Sequence, residues 1–556
     1  MRRKKILICT EAHWLPTGYS VYTKEVLGRL SRNPNFEIAE LACYVTQEEA
    51  DTQNVPWRVI GNQPIKNGPD WEMYKSSPSS EFGEFKLNET LIDFMPDFVM
   101  DIRDWWMLEF VGRTCFRDFF QWTIMPAVDA RPQNKQWVDT YSSADAVFAY
   151  SEFGRDVLLS QSSGMNFVDV ASPCASPVFC PPENKGEHKK IGGIDPDSFV
   201  IGTVMRNQRR KLFPDLFEVF ARFLDASKAK NAYLYCHTAY PDLGWEIPQL
   251  LQEHGIGDRV LFTYRCKKCG TITPKIFSDV ISHCSHCGSF ESQMIGINNK
   301  ATEEDLSEVY KLFDVYIQYA NSEGFGMPQL EATSTGLPLI TVDYSAMESV
   351  GDNVGAFKVP VLKLHTECET GCLRAIPDND AAMLYLMKLY SLGSEAVASS
   401  GERMRQSTLE RYSWDTTAQK WGDYFSRTPV FDPKKTWLSP SRIFSPAKEI
   451  PANLKSIKDQ VDFLFTNVLG RPEWIGNYFW KRTVRDLTYK STMASTAVDF
   501  HFSESHTGSH DVRAWSRFTL QDAHQSFLRA AEVNNQWERY RLERIQSMMS
   551  GGLNRQ

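Results

Sequence analysis

Two glutamates eight positions apart, Glu323 and Glu331, enclose the run Gly324, Phe325, Gly326, Met327 and Pro328. Glycines let a backbone approach a ligand closely, and proline suits the first turn of a helix because its missing N–H would be unpaired there. The spacing predicts a short helix that ends at Gly336, followed by a buried strand over 337–342. A glycine loop leading into a helix start offers N–H groups to an anion, here with one carboxylate before the loop and one on the first turns. An ordinary strand–loop–helix turn would carry the same glycines, so the rest of the chain must supply the context. A second constellation is Cys266, Cys269, Cys284 and Cys287, two CxxC pairs each followed by glycine. This spacing suits one tetrahedral zinc ion held by four thiolates. Four thiolates leave no open coordination position, so the expected metal is structural, with His283 and His286 as bystanders.

These residues need a large scaffold. At 556 residues the chain exceeds a single core and predicts three or four domains. It is 42% hydrophobic and 23% charged, a globular composition. A net charge of −8 argues against a surface coated with phosphate-binding cations, while leaving room for a local basic groove. The basic start is followed by an apolar run of only four residues, 6–9, too short for a signal core or membrane span. It reads as a first strand in a soluble, cytoplasmic protein. Twelve cysteines, four of them in the CxxC pairs, fit a reducing compartment.

Along the chain, 5–10 reads as a strand, 16–20 as a loop containing Gly18, and 21–30 as a helix; further strands are expected at 98–102, 122–128 and 146–150. A second α/β unit begins with a strand at 198–204, runs through MRNQRRK into an amphipathic helix, and reaches the Glu323 loop through a helix and strand. The organising stretch resembles the E-x7-E signature of the family 4 (group 1) retaining glycosyltransferases. SADAVFAYSEFGRDVL, MRNQRRKLFPDLF and ERYSWDTTAQKWGDYF resemble, in order, further segments of that family, over about residues 4–427.

The resemblance implies a GT-B fold: α/β architecture with two Rossmann-like domains facing a cleft. The expected boundaries are 1–182 for an acceptor-side domain and 183–412 for a nucleotide-sugar domain. The zinc ribbon would be inserted at 264–292, a cross-back helix at 413–430 and a helical extension at 431–556. It implies transfer of a sugar from a nucleotide sugar, UDP favoured and GDP or ADP open, to a hydroxyl acceptor. Glu323 would orient sugar hydroxyls, Glu331 the ribose, Arg206 and Lys211 the diphosphate, and Gly324, Phe325, Gly326 and Met327 would add N–H donors, with Gly18 over the cleft. Fixed cations stabilise the charge on the leaving diphosphate, so no catalytic metal is expected. Where many relatives place a histidine facing the sugar, this chain has Asp129; His13, on the first loop, is a further residue near the cleft.

Two other readings stay open. In one, the acceptor is a hydroxylated base in DNA or RNA, gripped by the ribbon and tail. In the other, the fold serves a noncatalytic glycan-binding or assembly role. The tail carries apolar residues at helical spacing from Leu454 to Val468 and a long helical pattern over 520–545. A loop between these patterns holds His501, His506 and His510, considered there as a second metal site.

Overall fold

The computed structural model describes residues 2–296, 299–492 and 520–551. His501, His506 and His510 lie outside them. The first half is a seven-stranded parallel sheet: β1 (Lys4–Glu11), β2 (Phe36–Cys43), β3 (Arg58–Gly61), β4 (Phe98–Asp101), β5 (Gln121–Ile124), β6 (Ala146–Ala149) and β7 (Phe167–Val170), in the order β3-β2-β1-β4-β5-β6-β7. Its central strands are near-continuous apolar runs such as Ile6 to Cys9, as a sheet covered by helices on both faces requires. The strand expected over 122–128 stops at Ile124. Pro126 follows, and proline has no N–H to donate to a ladder, so Asp129 sits on the loop beyond the strand. The first helix begins at Gly18, earlier than its apolar pattern, because Thr17 caps it by accepting from the Ser20 N–H.

The second sheet contains β8 (Phe199–Val204), β9 (Ala232–His237), β10 (Val260–Cys266), β11 (Ile272–Ile276), β12 (Ile281–Ser282), β13 (Ser292–Met294), β14 (Val315–Gln318), β15 (Leu339–Val342) and β16 (Phe357–Val359). The order is β12-β13-β10-β9-β8-β14-β15-β16, with β11 also paired to β10. The strands from β8 to β10 and from β14 to β16 are parallel, whereas β11, β12 and β13 pair antiparallel; Cys266 ends β10, and Cys269, Cys284 and Cys287 lie on the turns between these strands. Gly202 in β8 is required by close packing, since a Cβ there would stand 1.9 Å from the Phe313 ring.

A hairpin that the sequence reading did not contain, β17 (Val361–Thr366) with β18 (Leu373–Pro377), leaves the second sheet and touches the first half, where Leu373 N–H donates to the Arg131 carbonyl at 2.9 Å. Helix Trp414–Arg427 returns to the first half. Trp421 stacks on Phe148 at 3.9 Å between centroids and donates to the Tyr22 hydroxyl at 2.8 Å. Lys4 caps the end of this helix, donating to the carbonyls of Phe425, Ser426 and Thr428 at 2.7, 2.7 and 2.8 Å.

The tail has a small core of its own around Val461, Leu464, Phe465, Val468 and Trp474. The helical pattern from Leu454 to Val468 resolves into helix Ile457–Phe463 and a π-helical turn, Leu464–Val468. The tail docks on the first half. Trp437 packs edge-on against Phe119 and donates to the Pro96 carbonyl at 3.0 Å, Arg471 pairs with Asp118, and Arg482 in helix Tyr478–Thr492 pairs with Glu109. Helix Leu520–Gly551 closes the docking with Arg544 on Asp93. Among the described residues no helix is long and apolar enough to cross a membrane.

Candidate active site

The loop after β8 is tied by its backbone to the end of β14. Asn321 N–H donates to the Arg210 carbonyl at 2.9 Å, and Leu212 N–H to the Tyr319 carbonyl at 3.2 Å. This brings two cations onto Glu323: the Lys211 ammonium contacts Oε1, and the Arg210 guanidinium reaches Oε2 at 2.7 Å. Gln318 also donates to Oε1, at 2.6 Å. The Glu323 N–H is held by the Ser345 hydroxyl at 2.9 Å, and Ser345 takes a left-handed φ of 60°, a conformation that costs energy in a non-glycine residue. Burial, then the neighbouring Arg210, pushes the Lys211 ammonium well below its ordinary range, and the carboxylate in contact opposes that loss of charge. The Glu323 side chain, only 5% exposed, accepts from Lys211, Arg210 and Gln318 at once, which fixes its orientation.

Past this carboxylate the loop turns at Gly326, with φ of 84°, and a Cβ there would meet the Gln329 amide at 2.6 Å. Helix Met327–Ser334 follows, with Pro328, which has no N–H to leave unpaired, in its first turn and the Gln329 N–H donating to the Gly326 carbonyl at 3.0 Å. The first half lies close over this loop. A Cβ on Gly18 would stand 3.8 Å from Met327 Sδ, and one on Gly324 would stand 3.5 Å from the Ala127 Cβ. The Phe325 side chain is buried against Tyr412. Glu331 accepts from the Tyr310 hydroxyl at 2.7 Å, and burial pushes its carboxyl up to about 7.

The remaining predicted residues are distributed differently. Arg206 turns onto Asp242, at 2.8 and 3.0 Å, half exposed, and is not in contact with Glu323. Asp129 meets the second half: Arg374 of β18 donates to it at 2.7 Å, to the Ser322 hydroxyl at 2.6 Å and to Glu367 at 2.7 Å. His13 is buried, with Nδ1 2.8 Å from Glu40. Sequence reasoning passed over Arg210, Ser345, Tyr310 and Arg374. The basic run offered a signal for Arg210 but could not say which of its side chains turns inward, and the other three sit in no recognisable motif.

The four cysteines converge. Their sulfurs lie within 4.8 Å of one another, with Cys266 to Cys287 at 3.7 Å and Cys269 to Cys284 at 3.6 Å. A tetrahedron of thiolates about 2.3 Å from a zinc ion has edges of about 3.8 Å, so the donor set fits such an ion. The knuckles turn at Gly270 and Gly288, with φ of 76° and 72°, whose N–H groups donate to the carbonyls of Cys266 and Cys284.

Residues 291–361, which include the Glu323 loop, match the family model described as glycosyl transferases group 1. The chain is 37% identical over 65 residues to the GtfA subunit of a UDP-N-acetylglucosamine–peptide N-acetylglucosaminyltransferase from Streptococcus gordonii. That stretch is 11% of this chain and 13% of the relative, so the chain spans only a small part of the curated relatives it matches. Solved structures match far more of it. Sucrose-phosphate synthase from Thermosynechococcus elongatus superposes with a TM-score of 0.55 at 15% identity, over 77% of this chain and 99% of that one. HepE from Anabaena, in complex with UDP and glucose, gives 0.54 at 12% identity, over 77% and 100%. The chain therefore has the GT-B glycosyltransferase fold, with a group 1 segment built around the Glu323 loop.

Proposed function

We propose that this protein is a retaining glycosyltransferase that moves a sugar from a nucleotide-sugar donor, UDP-linked in the first instance, to a hydroxyl acceptor. The observation that carries the reading is Glu323, buried at the start of the glycine loop and gripped by Lys211 and Arg210. In the reaction, the bond from the anomeric carbon to the phosphate oxygen breaks, a bond to the acceptor oxygen forms on the same face, and the acceptor's proton leaves on the diphosphate. Lys211, Arg210 and the start of helix Met327–Ser334 would meet the charge that grows on the diphosphate, with Arg206 at the outer edge. Glu323 would accept from the sugar's hydroxyls, and Glu331, beside Tyr310, from the ribose. Gly18 would close the cleft over the loop, and Asp129 would stand on the far side of the sugar.

Cys266, Cys269, Cys284 and Cys287 would hold a structural zinc that ties the β10–β13 extension together, away from the chemistry. The domain limits that go with this reading are 1–182 and 183–412, with the ribbon at 264–292, the cross-back helix at 413–430 and the extension at 431–556.

The test is thermal stabilisation by UDP-, GDP- and ADP-sugars. A ligand at a hundredfold over its dissociation constant stabilises by about 2.7 kcal/mol, a readable shift of the midpoint. The expected result is a shift with one nucleotide class that is lost in Lys211→Ala, and a product whose anomeric configuration matches the donor's by NMR. No shift with any nucleotide sugar would leave the fold in a noncatalytic role.

A further inference from the structure

The loop after β8 that delivers Arg206, Arg210 and Lys211 is held on two sides. Its inner side is tied by backbone hydrogen bonds to the end of β14. Its outer side is docked on the 238–246 loop, which joins β9 to helix Ile247–Glu253. Arg206 pairs there with Asp242 at 2.8 and 3.0 Å. The buried Asn207 side chain brackets Trp245, accepting from its N–H and donating to its carbonyl, both at 2.8 Å. The Trp245 indole N–H in turn donates to the Lys211 carbonyl at 2.7 Å. Gly244 makes this approach possible, since a Cβ there would stand 2.3 Å from the Asn207 Oδ1 and 2.7 Å from its backbone carbonyl.

Much of the 238–246 loop faces solvent: Pro241, Leu243 and Glu246 are exposed, Leu243 by 77%. Its support comes from the ribbon, where Tyr240 meets Phe277 edge-on at 5.9 Å between centroids. The Tyr240 hydroxyl also donates to Glu246 at 2.6 Å, which draws the loop together beside Trp245. Phe277 is the residue after β11, and it packs edge-on against Phe262 of β10 at 5.9 Å. β11 brings it to this place by running antiparallel along β10, from Ile272 opposite Arg265 to Ile276 opposite Leu261. The knuckles flank this strand, Cys266 and Cys269 before it and Cys284 and Cys287 after it. One line of contacts therefore runs from the ribbon through Phe277, Tyr240 and Trp245 to the backbone of Lys211.

We propose that the cysteine ribbon seats the donor loop: Phe277 and Tyr240 hold the 238–246 loop, and Trp245 fixes the backbone from which Lys211 reaches the diphosphate. The inference rests on the glycosyltransferase reading for its functional half. Trp245 is a positioning residue that acts through Lys211 and takes part in no covalent step. A lysine on its flexible stem is placed only as well as the backbone beneath it. A misplacement of about 1 Å, caused far from the chemistry, costs on the order of 100-fold, so a seat on the outer side of the loop has leverage on the site. The four sulfurs stay away from the reacting atoms, and their influence arrives through packed side chains.

The experiment is hydrogen exchange on the full chain and on Phe277→Ala, Trp245→Phe, Gly244→Ala and Cys284→Ser, followed by calorimetric titration with UDP against uridine. GDP against guanosine and ADP against adenosine are run beside that pair. The amides of 206–212 are expected to exchange at least threefold faster in each variant, while β14 and β15 exchange as in the wild type, which shows that the second sheet is folded. Affinity for the nucleoside diphosphate is expected to fall at least fivefold and that for the nucleoside less than twofold, because Lys211 serves the diphosphate alone. Unchanged exchange at 206–212, loosening in Cys284→Ser confined to 266–294, or equal losses of diphosphate and nucleoside would each overturn the proposal. Faster exchange at 206–212 in a protein that binds none of the three nucleoside diphosphates would leave the seating by the ribbon standing and overturn the donor reading.

Discussion

Glu331 illustrates how one side chain links the site to solution conditions. Its carboxyl is raised from an ordinary 4.5 to about 7, chiefly by burial, so the folded protein holds a proton there that the unfolded chain releases. The associated stability is fully present below pH 4.5 and is lost as pH rises through about 7. Glu331→Gln is expected to flatten that fall and to raise stability at pH 8 by roughly 1–3 kcal/mol, while losing the nucleotide-sugar shift; urea denaturation at pH 5 and pH 8 reads the first, thermal midpoints the second. Asp104 titrates in the same sense and leaves a residual slope. At this scale the sequence was legible where chemistry demands fixed spacing. Glu323, the glycine loop and Glu331 stand in one short run, and Lys211 follows β8 closely. Arg210 and Arg374 were not legible, because whether an arginine turns inward depends on a loop conformation or on a hairpin 52 residues from its partner Ser322.

The clearest element-scale device is the cysteine ribbon. β11, β12 and β13 are short, antiparallel and partly exposed, with Ile276, Ile281 and Phe290 open to solvent, so this extension buries little of its own apolar surface. A metal held by the four clustered cysteines would supply a cross-link, the usual recourse of small modules. Elemental analysis is expected to find one zinc per chain, and stripping it with a chelator, or Cys284→Ser, should release hydrogen-exchange protection across 266–294 before β8, β9, β14 or β15. Equal loss across the whole second sheet would show instead that the ribbon is integral to that core. The apolar parallel strands were readable from composition, as were both cysteine knuckles. The β17–β18 hairpin was not, because β17 is mostly exposed and its apolar residues mark no buried face, Leu362 standing open to solvent.

For the molecule as a whole, the tail is a brace on the first half. Trp437, 3% exposed, fills a space bounded by Phe116 and Phe119, while Arg471 and Arg442 converge on Asp118. Trp437→Ala is expected to cost about 3–5 kcal/mol in denaturant unfolding and leave the donor-induced shift in place, since the tail contacts described lie away from Glu323. Docking of this kind has no motif: Arg471 meets the Cys115 carbonyl across 356 positions. The two-sheet plan was legible because its segments recur in a fixed order. The returning helix Trp414–Arg427 carries a consequence for how the chain is made. Lys4 is separated from the carbonyl it caps at Phe425 by 421 positions. At roughly 5–20 residues per second on the ribosome, the first strand emerges about 20–80 seconds before its partner exists. Through that interval the apolar seat formed by Tyr22, Phe98 and Phe148 has no returning helix to cover it, so the first sheet is completed only when the last helix of the second half has been made.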